Sequence, residues 1–121
     1  ILTVRDSAET WYNSLVRFHE KVFGHPLTKE LLMSVKYRYE GFAWETNRVL
    51  YQSPEEDPYN RESLIRAYNT HHSDILNAFE NHGNLLVLNV AEPNAVSKLS
   101  DFLGMEPLVD EMPWLNKTMK E

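Results

Sequence analysis

Apolar residues follow two rhythms along this chain, one of strands and one of helices. Ile1 to Val4 is an unbroken run of strand-forming residues, and Leu85-Leu-Val-Leu-Asn-Val90 is a second and clearer one. Neither alternates with polar residues, which is the signature of parallel strands covered on both faces. Between and after them the period lengthens to that of a helix. Trp11, Leu15, Phe18 and Val22 form a first stripe that Gly24-His25-Pro26 stops. Asp6 is placed to cap that helix, with Glu9 three residues on completing a capping-box-like pair. Thr28 caps a second stripe through Leu31, Val35, Tyr39, Phe42 and Val49. Gly41 lies inside it and weakens it by ~1 kcal/mol relative to alanine, so two shorter helices are an alternative. Asn60 caps a third stripe of Leu64, Tyr68, His72, Ile75 and Phe79, and Asn81-His-Gly83-Asn84 breaks it. A last helix runs from Pro93 through Val96, Leu99, Phe102 and Leu103 to Gly104.

The order βα, α, α, βα predicts an α/β fold, yet two buried parallel strands do not make a sheet that stands alone. The expectation is that residues 1–121 form the C-terminal part of a single larger α/β domain. Leu86, Val87 and Leu88 are then expected to be nearly fully buried in the complete sheet. An exposed sheet edge and apolar face are expected where neighbouring strands belong.

Composition narrows the chemistry. Twelve Lys and Arg stand against 18 Asp and Glu, a net charge of -6, which argues against a general nucleic-acid surface. A small anionic ligand needs only local positive groups and stays open. The absence of cysteine excludes disulfides, thiol catalysis and thiolate metal sites, and fits a reducing, cytoplasmic compartment. No apolar run approaches the ~20 residues of a membrane span.

Arg5 is the first candidate site residue. Ligands of open α/β sheets bind beyond the carboxyl ends of the strands, and an arginine fixed there reaches an anion. Asp6 to Ser14 on a helix advances roughly 12 Å, so a phosphate shared by Arg5 and Ser14 lies against the helix flank and not at its capped end. The plainer alternative pairs Arg5 with a surface carboxylate and leaves Ser14 facing solvent. His71 and His72 are about 100° apart on one helix and do not share a metal comfortably; His72 falls in the apolar stripe. His71 with Asp74 supplies too few ligands, so no metal site is assigned. His19, His25 and His82 are placed at helix ends, where the dipole favours imidazolium. No nucleophile elbow occurs. Tyr39 and Phe42 share a helical face and belong to the core, whereas Tyr37 and Trp44 pack on another flank or line a pocket for an apolar or aromatic alcohol.

Several of these segments resemble one family. The strand ending in Arg5-Asp6 with Ser14 on the next helix is similar to the 3′-phosphate motif of sulfotransferases that use 3′-phosphoadenosine-5′-phosphosulfate. Arg61-Glu62-Ser63 through His72 resembles the helix before the last strand in a bacterial and lower-eukaryotic type of that family. Asn84 to Val90 resembles its strand, Lys98 to Gly104 its final helix, and Pro113-Trp-Leu-Asn116-Lys117-Thr118 its closing segment. The likeness is loosest between Pro26 and Glu56. It implies a P-loop-like three-layer parallel sheet covered by helices. It also implies sulfuryl transfer to a hydroxyl or amine of a small-molecule acceptor, with Arg5 and Ser14 or Asn13 gripping the 3′-phosphate of the cofactor. Two departures bear on the second donor. The family serine falls where this chain has Asn13, one residue and ~100° of helix before Ser14, and Ser7 stands where a proline often follows the Arg-Asp pair. A larger departure is the absence of a glycine-containing loop for the 5′-phosphosulfate: Gly24, Gly41, Gly83 and Gly104 are isolated. That loop and the catalytic base are expected in an N-terminal half of the same domain, so the catalytic residues are unknown and this segment alone is expected to be inactive. A non-catalytic α/β interaction module and a P-loop nucleotide kinase relative are the alternatives. Asn116-Lys117-Thr118 either returns a cation and two polar donors to a phosphate or is a terminal turn.

Overall fold

The computed structural model describes residues 1–115. Strand β1 (Leu2–Val4) leads into α1 (Ala8–Phe23), α2 (Lys29–Ser34), α3 (Phe42–Tyr51) and α4 (Arg61–Ala78); β2 (Val87–Asn89) and α5 (Ala95–Leu103) close the order. The two strands are parallel, with Leu2 opposite Val87, Thr3 opposite Leu88 and Val4 opposite Asn89. The chain is thus a small α/β protein with five helices and a short two-stranded parallel sheet among its described residues.

The caps show how sequence and tertiary contacts divide the work. Thr28 and Asn60 each accept a backbone N–H of the first turn of α2 and α4, as their positions predict. At α1 the cap is Ser7, whose hydroxyl accepts from the Thr10 N–H. Asp6 is diverted, because its carboxylate accepts from Asn89 Nδ2 at 2.6 Å and so ties the end of β1 to the end of β2.

The predicted second helix is two. The first, α2, stops at Ser34; residues 35–40 run outside any helix with Lys36 bridged to Glu40, and Gly41 in the left-handed conformation (φ 87°) opens α3, so the helical phase is reset. Tyr39 is therefore half exposed and not core, and Val49 is 76% exposed. The buried positions are instead Leu32, Ala43 and Asn47. Leu32, Ala43, Tyr59 and Leu64 make the centre of the core, and Trp11, Tyr12, Leu15, Val16 and Phe23 of α1 lean onto it. Trp44 joins this cluster rather than facing a pocket beside Tyr37, with the Lys29 ammonium and Arg48 guanidinium 5.4 and 4.7 Å from its ring centre.

Burial in the sheet is partial. Leu88 is 2% exposed, Leu86 is half-buried and Val87 is 43% exposed. Among the described residues the two strands leave two open edges, with α5 packed on β2, so Val87 stays open here; the nearly full burial expected of Leu86, Val87 and Leu88 belongs to a complete sheet. Ile1 and Val90 are exposed with it. Asn116, Lys117 and Thr118 lie outside the described residues.

Candidate functional site

The chain turns at Arg5, where β1 ends, and three elements fix what it presents. Its backbone N–H donates to the Tyr68 hydroxyl of α4 at 3.1 Å. The Tyr68 ring is packed between Trp11 of α1 (centroids 5.0 Å) and His72 (3.9 Å). His72 in turn places Nδ1 2.6 Å from the Tyr68 carbonyl and Nε2 3.3 Å from the Thr3 carbonyl, so α4 is pinned to the end of β1. Arg5 therefore projects from a fixed backbone.

Its guanidinium donates to Ser14 Oγ at 3.4 Å. The nine-residue separation brings the two together because α1 runs back past the strand end. Asn13 points elsewhere: it is exposed, and its amide donates to Glu9 at 3.5 Å. Among the described residues no carboxylate lies within ion-pairing distance of Arg5. The nearby acids are engaged, Asp6 by Asn89 and Glu9 by the Arg61 guanidinium. A half-buried arginine with no counter-charge among the described residues favours a bound anion, since the charge is partly withdrawn from water and the donors beyond the one on Ser14 can chelate.

Arg5 also stands where two hollows meet. A cleft of about 480 Å³ is lined by Thr3, Arg5, Trp11, Tyr68 and His72, with Leu50 and Tyr51 on its far wall. A smaller one of about 90 Å³ lies between Arg5, Val90 and the segment Met112-Pro113-Trp114. This is the place beyond the carboxyl ends of parallel strands where α/β proteins bind ligands.

Sequence reasoning reached Arg5 and Ser14 but missed Tyr68 as the residue that holds Arg5 and Asn89 as the partner of Asp6. Both contacts bridge distant segments, so no local pattern announces them. His71 is exposed and lines the same cleft. His19 proves to be inside α1 and not at its end: burial pushes its imidazole below the usual 6.5, opposite to the dipole effect expected of it. Comparison with protein-family models, with curated proteins and with solved structures returned no match. No helix of the described residues is long and apolar enough to cross a membrane.

Proposed function

We propose that this chain supplies the 3′-phosphate site and part of the scaffold of a cytoplasmic sulfotransferase with a P-loop-like sheet, which moves a sulfuryl group from 3′-phosphoadenosine-5′-phosphosulfate to a hydroxyl or amine acceptor. One observation carries the reading: the guanidinium of Arg5 has no carboxylate partner among the described residues, is held against the Ser14 hydroxyl, and opens on a cleft beyond the strand ends. A phosphate dianion seated there takes charge-assisted bonds from Arg5 and a neutral one from Ser14. Such a pair separates a 3′-phosphorylated adenosine from an ordinary adenylate. Transfer itself needs positioning and charge stabilisation at the sulfuryl group, with a general base. Those parts belong to residues beyond this chain in the proposal, and the chain alone binds without turning over.

Titration with adenosine 3′,5′-bisphosphate followed by heteronuclear NMR tests this. The proposal expects saturable shifts at the Arg5 and Ser14 amides and at the Arg5 side-chain Nε–H. Shifts confined to other parts of the chain, or none, defeat it. A non-catalytic α/β interaction module is the second reading, favoured by the exposed Val87, Val90 and Ile1 at the sheet edge; it predicts no nucleotide binding.

A further inference from the structure

A second cavity, of about 170 Å³, lies on the far side of Tyr51 from the Arg5 cleft. Its walls are rings: Phe18 and Phe23 of α1, Tyr37 and Phe42 around the α3 start, Tyr51 and Tyr59. A dry apolar cavity of about 150 Å³ takes one benzene ring, so the volume fits a single ring with a small substituent and excludes a fused bicycle.

Of the polar side chains around it, Asn47 is committed within the fold. Asn47 uses its amide nitrogen on the Pro58 carbonyl (2.8 Å) and its oxygen on the Ser53 hydroxyl (3.1 Å). His19 differs. Its Nδ1 sits 2.5 Å from the Tyr59 hydroxyl, and its Nε2 makes no hydrogen bond with the described residues. The Tyr59 hydroxyl has no other acceptor among them, so it donates its proton to Nδ1. The ring proton then resides on Nε2, which is left as a donor. Burial keeps His19 neutral and Tyr59 a phenol, consistent with that tautomer.

We propose that this cavity is a binding site for a neutral, single-ring aromatic molecule bearing one hydrogen-bond acceptor, the ring seated among the aromatic walls and the acceptor taking the proton of His19 Nε2. Aromatic edges and faces suit an aromatic guest better than an aliphatic one. An anionic ring is rejected, because the cavity offers no cation to balance a desolvated charge. The site does not depend on the phosphate reading, and the two succeed or fail separately.

Phenol, toluene and benzoate are the probes, titrated into the 121-residue chain and followed by the amide resonances of Ala43, Thr46 and Asn47. Phenol should bind saturably at these resonances, toluene about two- to tenfold more weakly, the worth of one neutral hydrogen bond, and benzoate not at all. His19→Phe should abolish the difference between phenol and toluene. Should that variant fold poorly, Val22→Trp at the 42% exposed mouth serves instead and should block both ligands. No saturable phenol shift, benzoate binding as tightly as phenol, unchanged phenol binding in Val22→Trp, or shifts centred on Arg5 and Tyr68 would each overturn the proposal.

Discussion

At the scale of single residues, the site rests on which side chains are already engaged. Asn13 bonds Glu9 and faces solvent, whereas Ser14 is 3.4 Å from Arg5. Ser14→Ala should therefore weaken binding of adenosine 3′,5′-bisphosphate about two- to tenfold, by the ~0.5–1.5 kcal/mol of a neutral hydrogen bond. Asn13→Ala should leave it within about twofold on the same scale, and isothermal titration of both variants checks the pair. A larger loss in Asn13→Ala would make Asn13 the second donor. His19 gives a separate test through stability. Its folded pKa is lowered by burial, while the unfolded chain titrates near 6.5. Above 6.5 both states are neutral and the stability is full. As pH falls below 6.5 the unfolded chain takes up a proton that the folded chain resists, so stability is lost down to the folded pKa and then levels. Urea unfolding between about pH 7 and 5 should show a shallower loss in His19→Gln than in the wild type; identical slopes would mean that burial does not hold the imidazole neutral.

At the scale of elements, the junction between α3 and α4 depends on Asn47, which is 2% exposed and holds the Pro58 carbonyl and the Ser53 hydroxyl. Arg48 adds a bond to the Ser53 carbonyl. Asn47→Ala removes both bonds, each worth ~0.5–1.5 kcal/mol, and leaves the Pro58 carbonyl with the Ser53 hydroxyl alone (2.6 Å), so it should cost ~1–3 kcal/mol, seen as a lower denaturation midpoint at unchanged slope. The sequence shows the elements better than their faces. Thr28, Asn60, Gly24 and Gly104 mark helix ends by local chemistry and are read directly. The stripe through Tyr39 and Val49 assumes one continuous helix, and the non-helical stretch from residue 35 to the left-handed Gly41 breaks its phase, so a polar Asn47 takes a core position that periodicity assigns to others. Asp6 and Ser7 are both competent caps. The choice falls to Ser7 because Asn89, 83 residues away, claims Asp6. The same holds for the site: the strand-end arginine is legible, and the Tyr68 hydroxyl that fixes it is not.

At the scale of the molecule, the apolar side chains left open at the sheet follow from its having two strands among the described residues. Val87 at 43%, Val90 at 41% and Ile1 at 58% exposure leave apolar surface at a sheet whose edges are open, and such edges and surfaces pair with whatever strand or apolar surface is offered. The isolated chain should self-associate as its concentration rises, and Val87→Lys should shift sedimentation toward the monomer; equal association of the variant would place the contact elsewhere. The central claim is that Arg5 reads a 3′-phosphate. Isothermal titration of wild type and Arg5→Ala with adenosine 3′,5′-bisphosphate and with adenosine 5′-monophosphate tests it most directly. A charge-assisted contact is worth ~1.5–3 kcal/mol, so the wild type should favour the bisphosphate and Arg5→Ala should lose about ten- to a hundredfold for it alone. Equal loss for both nucleotides, or no binding of the bisphosphate at all, would contradict the claim and leave Arg5 a surface cation.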